Sequence, residues 1–181
     1  AHLQDMHPDC VYLAGLCGGL HPEHVVGKIV QPQRFVSTQS DNPLELIHSQ
    51  SAQPLTMLTV NQPLLSSVQK QQAARKYSAD VVDMEAYAFV NVCQQREIDC
   101  CVIKAVSDDS QTTLPGLCSE IITSSGRINW LKLIWGILKN PGVVKTLLEL
   151  QRTSHQALQA LAEALFAEVH CECDRSPQPE A

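Results

Sequence analysis

The stretch VVDMEAYAFVNVCQQREIDCCVIKAVSDDS, residues 81–110, decides the fold class of this chain. Residues 79–84 and 100–106 are short, apolar and rich in β-branched side chains, which is typical of buried strands. Between them, apolar residues recur at helical spacing. A carboxylate follows each predicted strand, Glu85 after the first and Asp108 after the second. The pattern predicts a βαβ unit whose two parallel strands end at the same edge of a sheet.

That edge is the usual ligand-binding edge of an open α/β sheet. If the two strands are neighbours, Glu85 and Asp108 should face a common crevice and lie within about 10 Å of each other. The pair therefore predicts a binding or catalytic site. The alternative interpretation is that each carboxylate only begins a helix, where its charge matches the helix dipole.

The rest of the chain continues the alternation of strands and helices. Strands are expected at residues 10–20, 25–36 and 55–60, and a polar helix at residues 66–77. Residues 37–54, rich in Ser, Gln, Asn and Pro, are interpreted as a surface loop. We therefore predict an α/β fold with a largely parallel or mixed sheet that is flanked by helices.

The C-terminal third is expected to be a helical extension of one domain, residues 1–170, followed by a disordered tail at residues 171–181. A length of 181 residues suits a single hydrophobic core. The apolar stripe over residues 128–138 contains Lys132 and is too short to span a bilayer. Because Ala1 is not a Met and lies in mid-element, we expect the C-terminal part of a longer protein, without the N-terminal strands of its fold.

Composition and charge narrow the class of partner. The net charge is −6 and no block of Lys and Arg occurs, so a small-molecule or protein partner is expected rather than nucleic acid. The cysteines lie mostly in apolar patterns, which is typical of reduced thiols in a cytoplasmic protein. Cys17, with His21 and His24 nearby, raises the alternatives of a thiol nucleophile or a metal site. Their spacing matches no zinc motif, so we expect a structural role and no metal.

Three segments resemble the nucleoside phosphorylase and nucleosidase superfamily, which includes purine nucleoside phosphorylases and methylthioadenosine/adenosylhomocysteine nucleosidases. VDMEA at residues 82–86 and VIKAVSD at residues 102–108 are similar to its signature of two strands, each closed by an acidic residue. PDCVYLAGLCGGLHPEHVVGKIVQP, residues 8–32, resembles its strand, glycine-rich turn and following strand. Three segments in the family's order are more specific than any one motif. The resemblance implies a nucleoside phosphorylase-like fold.

The resemblance also implies roles for individual residues. Met84 would lie against the ribose, and Glu85 would accept hydrogen bonds from its 2′ and 3′ hydroxyls. Asp108 would be the catalytic acid that protonates N7 of the purine, with Ser107 holding it in place. Gly18 would line the side of the sugar or of the nucleophile. No cofactor or metal is implied, and phosphate would be a co-substrate only in a phosphorylase.

The chemistry of N-glycosidic cleavage suits these roles. Protonation lets the purine leave as a neutral base, and proton transfers of this kind contribute about 10²- to 10⁴-fold in rate. Burial of Asp108, and Asp109 if it points inward, would help the acid to keep its proton near neutral pH. Glu85 should stay ionised, because its bonds to the sugar strengthen as the sugar becomes cationic.

The resemblance implies an enzyme that cleaves a purine nucleoside, with a 5′-modified adenosine as the favoured substrate and water or phosphate as the nucleophile. An early Glu that activates water in the family's nucleosidases matches no residue here. Two alternatives therefore stay open: a nucleoside-binding module without turnover, and a partner subunit that needs a second chain. Family members usually form oligomers, so a homo-oligomer is expected.

A C-terminal segment suggests a narrower subgroup. SGRINWLKLIWGILKNPGVVKTLLELQRTS, residues 125–154, resembles the hopanoid-associated phosphorylase-like proteins, which act on a lipid-linked adenosine. Under that hypothesis, Trp130 and Trp135 admit an apolar 5′ substituent or contact a membrane surface. The alternative is that they pack within the domain or at a subunit interface.

Overall fold

The computed structural model describes residues 8, 10–46, 54–113 and 142–175, and in the last of these ranges the side chains of residues 148–167. These parts of the chain form a seven-stranded mixed sheet and three helices, which confirms the predicted α/β class. The strands are β1 (Cys10–Gly19), β2 (Ile29–Val30), β3 (Arg34–Ser37), β4 (Ser40–Glu45), β5 (Thr56–Thr59), β6 (Val81–Asp83) and β7 (Asp99–Asp108). The helices are α1 (Ser67–Tyr77), α2 (Ala86–Gln95) and α3 (Gly142–Arg175).

Five of the seven described strands form two parallel groups that run in opposite directions, and β2 and β4 pair antiparallel at the two edges. The strand order is β2-β7-β1-β6-β5-β3-β4. Strands β7 and β1 form one parallel group, and β6, β5 and β3 form the other. The groups meet where β1 pairs antiparallel with β6, with Gly18 opposite Val82 and Gly19 opposite Val81. Since these pairs lie at the end of β1, the C-terminal ends of the two groups overlap.

The predicted βαβ unit is wrong in its topology. Strands β6 and β7 are not neighbours, because β1 lies between them, and they run in opposite directions. Their C-terminal ends still come together, because the two parallel groups overlap there. The described strands make three parallel and three antiparallel pairings, so the sheet is mixed rather than largely parallel.

Helices cover both faces of the sheet. The buried residues of α2 pack against Val102 and Val106 of β7, on one face. Helix α3 packs on the opposite face of β7, where Ile103 lies. Helix α1 packs against Val82 of β6, whose neighbour Val81 belongs to the α2 side. The described core is therefore a three-layer arrangement with α2 on one side and α1 and α3 on the other.

Two segments differ from their predicted form. The single strand expected at residues 25–36 is divided into β2 and β3, with Pro32 between them, since proline cannot donate to a strand ladder. The loop expected at residues 37–54 contains β4, so that prediction was wrong for residues 40–45. Among the described strands, β4 pairs with β3 alone, and an edge strand of this kind tolerates Pro43.

The C-terminal region is described in part. Helix α3 is one continuous helix that extends to Arg175, into the segment 171–181 that was expected to be a tail. The boundaries of the domain and of the tail stay predictions. Residues 176–181, and the stripe at residues 128–138 with Trp130 and Trp135, lie outside the described residues. Among the described helices, none combines the length and the apolar character needed to cross a membrane.

Candidate active site

A cavity of about 250 Å³ lies where the C-terminal ends of β1, β5, β6 and β7 come together. Its lining includes all five site residues that the resemblance implied: Gly18, Met84, Glu85, Ser107 and Asp108. The structure thus brings Glu85 and Asp108 to one cavity, as expected, although through overlapping strand ends rather than through neighbouring parallel strands. Their chemical roles remain predictions.

Asp108 owes its orientation to a β-bulge at the end of β7. Cys17 of β1 pairs with Val106, but the next residue, Gly18, pairs with Asp108, so Ser107 is an extra residue in β7. Successive residues of a regular strand point to opposite faces, and an extra residue reverses that alternation. Asp108 therefore faces the α1 side of the sheet, whereas Val106 packs on the α2 side.

Both carboxylate oxygens of Asp108 accept hydrogen bonds. Lys70 Nζ lies 2.5 Å from Oδ2, and the Ser107 hydroxyl donates to Oδ1 over 2.8 Å. Lys70 also donates to the backbone carbonyl of Asp109. The side chains of Lys70 and Asp108 are 1% and 15% exposed, so water screens this ion pair little. No helix begins after Asp108 within the residues described up to 113, which removes the helix-start alternative there.

Lys70 reaches the cavity from α1, a helix whose start is specified locally. The Ser66 side chain accepts a hydrogen bond from the backbone N–H of Gln69 over 3.2 Å, and the Gln69 side chain accepts one from the backbone of Ser66 over 3.1 Å. This reciprocal capping box fixes the first turn of the helix. Lys70 then lies on the buried stripe of α1 with Ala73 and Ala74, one to two turns from the cap.

The second carboxylate, Glu85, pairs with a second buried lysine. Lys104 Nζ lies 2.6 Å from Glu85 Oε1 and 3.2 Å from Asp83 Oδ2. The side chain of Lys104 is fully buried, whereas that of Glu85 is 59% exposed. Lys104 therefore binds Glu85 from the buried side and leaves its carboxylate exposed to the cavity.

Asp83 fixes the start of α2 and with it the backbone of Glu85. Asp83 Oδ2 accepts from the backbone N–H of Ala86 over 2.9 Å, and Oδ1 accepts from the Thr59 hydroxyl over 2.7 Å. The Thr59 oxygen accepts in turn from the backbone N–H of Tyr87 over 3.0 Å. Glu85 is the N-cap residue of α2, but its side chain makes no capping bond. The capping hydrogen bond at the start of α2 therefore comes to Asp83 and not to Glu85, although Glu85 still stands at the N-terminus of that helix, where its charge matches the helix dipole.

Two glycines of β1 leave room for the charged groups. A Cβ on Gly18 would lie 3.1 Å from Asp108 Oδ2, and one on Gly15 would lie 3.0 Å from Lys104 Nζ. Both distances are shorter than ordinary van der Waals contacts, so any side chain would displace its neighbour. Gly18 thus borders Asp108, and its contact with the sugar or the nucleophile stays a prediction.

The remaining wall of the cavity is largely apolar. The residues that form it are Leu16, Val60, Pro63, Leu64 and Val82. Apolar walls with a few placed polar groups are characteristic of small-molecule sites. The cavity therefore combines the carboxylates of Asp83, Glu85 and Asp108 with an apolar surface on which a flat heterocycle can pack.

Two ionisable neighbours of the site have displaced pKa values. Burial raises the pKa of the Cys17 thiol to about 12, so the thiol stays protonated, which favours the structural role over the nucleophile. Burial alone would raise the pKa of Asp109, but hydrogen bonds from Thr112 and Gln111 outweigh it and lower that pKa. The Asp109 carboxylate is engaged by the turn after β7. The expectation that it helps Asp108 to keep a proton loses its basis.

The two histidines near the glycine-rich turn form no evident site. The rings of His21 and His24 pack edge to face with centroids 6.5 Å apart. Burial lowers the pKa of His24, which favours the neutral ring. Over the part of the chain that the structure describes, no three His, Cys, Asp or Glu side chains are placed to share a metal ion.

The two lysines were not predicted as site residues, although the sequence around each of them carries a signal. Lys70 lies three and four residues before Ala73 and Ala74, on the apolar stripe of an otherwise polar helix. Lys104 interrupts the apolar strand CCVIKAV at residues 100–106, where a charge is costly unless it is paired. A lysine in either position indicates a buried carboxylate partner.

The comparisons with known proteins agree with the fold. The family model of the phosphorylase superfamily matches residues 53–120, which include both carboxylates and both lysines. None of the curated proteins matches the chain. Among solved structures, the nucleosidase MTAN from Chlamydia trachomatis has a TM-score of 0.57 and 15% identity, over 93% of this chain and 71% of that one. Its adenine-bound form gives a TM-score of 0.55 and 15% identity, over 91% and 68%.

A third solved structure shows how much of a relative the chain spans. MTAN from Helicobacter pylori has 19% identity and a TM-score of 0.49, over 55% of this chain and 58% of that one. The chain therefore spans less than two thirds of that protein. At these identities a structural likeness shows the fold. Over residues 53–120 the chain matches the model of the phosphorylase superfamily, as its motifs predicted, and over most of its length its fold is similar to that of the Chlamydia trachomatis protein.

Proposed function

We propose that the protein cleaves the N-glycosidic bond of a purine nucleoside and releases the free base. The observation that carries the proposal is the pair of carboxylates at one cavity, Glu85 and Asp108, each held by its own buried lysine. Two acidic groups in different surroundings suit two different tasks, one of binding and one of proton transfer.

Glu85 has the surroundings of a group that binds a sugar. Its side chain is more than half exposed, and Lys104 occupies one of its oxygens. The free oxygen, with Met84 beside it in the lining, can accept hydrogen bonds from ribose hydroxyls. A carboxylate in that position also stabilises positive charge that develops on the sugar as the bond breaks.

Asp108 has the surroundings of a group that acts on the base. It is largely buried, and Ser107 and Lys70 fix its two oxygens. The apolar wall that includes Pro63 and Leu64 offers a surface for the purine. Proton transfer from Asp108 to N7 would let the base leave without charge.

The favoured substrate is a 5′-modified adenosine, with water or phosphate as the nucleophile. The resemblance to the nucleosidases supports adenosine, and a structure of the Chlamydia trachomatis protein carries adenine. The contact of Trp130 and Trp135 with a lipid-linked substrate stays part of the hypothesis. Liposome co-sedimentation tests it: binding should be lost in the Trp130→Ala/Trp135→Ala variant, and a wild type that does not bind contradicts the lipid contact.

A nucleoside-binding module without turnover is the second candidate. It is favoured by one observation, namely that both oxygens of Asp108 already accept hydrogen bonds from Lys70 and Ser107. In that geometry the carboxylate serves both groups as a hydrogen-bond acceptor. Binding of adenosine or inosine without release of base would favour the module over the enzyme.

The decisive experiment follows free base in solution. The intact protein is incubated with adenosine, methylthioadenosine and inosine, each with and without phosphate, and released base is separated chromatographically. Release that needs phosphate indicates phosphorolysis, and release without phosphate indicates hydrolysis. Absence of free base from every nucleoside, with a folded wild type, contradicts the proposed function.

A further inference from the structure

The two donors that bind Asp108 differ in a way that distinguishes its two oxygens. Oδ2 accepts from the Lys70 ammonium group, and Oδ1 accepts from the Ser107 hydroxyl. An ammonium group can only donate, whereas a hydroxyl group can donate or accept. A proton placed on Oδ2 would therefore confront the protons of Lys70, but a proton placed on Oδ1 would not confront a fixed donor.

The Ser107 hydroxyl also has another place to donate. The backbone carbonyl of Cys17 lies 3.2 Å from Ser107 Oγ, within hydrogen-bond distance. Ser107 can therefore turn its proton to Cys17 and leave Oδ1 of Asp108 free, without losing its only acceptor. Lys70 lacks this freedom, because it is buried and also donates to the carbonyl of Asp109.

Lys70 is also anchored by its own helix. Its backbone N–H donates to the carbonyl of Ser66 over 3.0 Å, in the capped first turn of α1. With its side chain 1% exposed, the ammonium group has no open path to another partner at the surface. The charge at this position is therefore a fixed feature of the cavity wall.

We propose that Lys70 is a positioning residue that reserves Oδ2 of Asp108, so that Oδ1 is the oxygen that delivers the proton to the purine. The inference rests on the proposed cleavage of a purine nucleoside. The proton moves from Oδ1 to N7 as the C1′–N9 bond breaks, and the bonding electron pair goes to the purine. The nucleophile forms the new bond to C1′, and when it is water it releases one proton to solvent. Lys70 then stabilises the carboxylate that is left, and solvent returns a proton before the next turnover.

The test separates the two donors kinetically in the intact protein. Lys70→Met should lower kcat about 100-fold and change KM less than about 3-fold, at the low end of the range for acid catalysis. Ser107→Ala should lower kcat less than about 5-fold, because Ser107 gives up Oδ1 during the reaction in any case. Lys76→Met, an exposed lysine of the same helix, is the matched control and should behave like the wild type.

Stability must be measured beside turnover, because Lys70→Met leaves Asp108 without its counter-charge. Asp108→Asn in the same chain should restore most of any loss in the unfolding midpoint, which measures the pairing independently of activity. If Lys70→Met does not fold, Lys70→Gln keeps a hydrogen-bond donor without the charge, and a similar fall in kcat is expected from it.

Each outcome bears on a different proposal. A folded Lys70 variant with the kcat of the wild type, or a Ser107→Ala variant that is as impaired as Lys70→Met, would overturn the assignment of the two oxygens. A folded wild type that releases no base from any nucleoside overturns the proposed function and this inference with it. An active wild type with the predicted contrast between Lys70 and Ser107 supports both.

Discussion

The two lysine–carboxylate clusters of the cavity use the same chemistry in opposite ways. Lys104 lies fully buried under Glu85, and the carboxylate extends from it into the open part of the cavity. Lys70 is equally buried, but it draws Asp108 inward until little of that carboxylate meets water. The comparison teaches that the placement of the lysine decides whether a carboxylate is presented to a ligand or withheld from solvent.

The supporting contacts differ as well. Lys104 bridges Glu85 and Asp83, and Asp83 is tied to Thr59 and to the start of α2. The Glu85 cluster is therefore part of the framework of the domain. Among the described residues, Lys70 has one carboxylate partner and one backbone carbonyl partner, so within them the Asp108 cluster depends on one ion pair. We expect loss of Lys104 to change mainly stability, and substitutions in the Asp108 cluster to change both stability and turnover.

Asp108→Asn is the substitution expected to have the largest effect. Loss of the acid should lower base release about 10²- to 10⁴-fold, while nucleoside binding survives. The same change leaves Lys70 buried without a counter-charge, and such a loss costs about 3–5 kcal/mol of stability. Turnover and the unfolding free energy should both be measured, with Lys70→Met/Asp108→Asn as the control in which no charge is stranded. If Asp108→Asn turned over like the wild type, the role of Asp108 as the acid would be refuted.

Lys104→Met tests whether the other cluster is structural. It leaves Asp83, whose side chain is 2% exposed, without its cation, so we expect a loss of about 3–5 kcal/mol in the free energy of unfolding. Denaturant unfolding of Lys104→Met, compared with Lys104→Met/Asp83→Asn, measures it. The double variant should recover part of the loss. Equal stability of Lys104→Met and the wild type would contradict the structural role.

Glu85→Gln tests the contrast between the two clusters through ligand binding. Because Glu85 is exposed and does not cap α2, its replacement should change stability little. Loss of charge-assisted bonds to the sugar should weaken transition-state binding by about 2–4 kcal/mol, seen as a lower kcat/KM. Steady-state kinetics with adenosine and methylthioadenosine checks this. An unchanged kcat/KM would count against the ribose contact.

The smallest effect is expected at Asp109, the carboxylate next to Asp108 in the chain. Its pKa is lowered in the folded protein, so its contribution to stability is present above its unfolded value, near 3.8, and is lost as the pH falls below that. Asp109→Asn should therefore flatten the acid side of the stability profile, measured as unfolding midpoint against pH. A profile that keeps the slope of the wild type would show that the hydrogen bonds of Thr112 do not stabilise the ionised form.

Much of the site could be predicted because its signals are local. VDMEA and VIKAVSD place the carboxylates directly after strands, and strand ends are where such sheets bind ligands. The expected neighbourhood of Glu85 and Asp108 was correct, but its reason was wrong, because the pairing of β1 between β6 and β7 is a long-range property. No pattern within residues 79–108 reveals that a strand from residues 10–19 lies between them.

The parts that could not be predicted depend on partners that are distant in the chain. Strand β4 contains Asn42 and Pro43, which favour a turn locally, and only its pairing with β3 makes it a strand. Lys70 is separated from Asp108 by 38 residues, so its partner could not be identified from α1 alone. The position of Lys70 on the apolar stripe of α1 indicated that it is buried. Which carboxylate it binds is determined only by the fold.

The single extra residue in β7 lets one strand serve two layers of the domain. Before Ser107, the strand sends Lys104 toward the layer of α2, and after it the strand sends Asp108 toward the layer of α1. If residues 106–108 followed regular alternation instead, Asp108 would face the same side as Val106 and would point away from Lys70. The register of this one strand therefore determines whether the two halves of the site share a cavity.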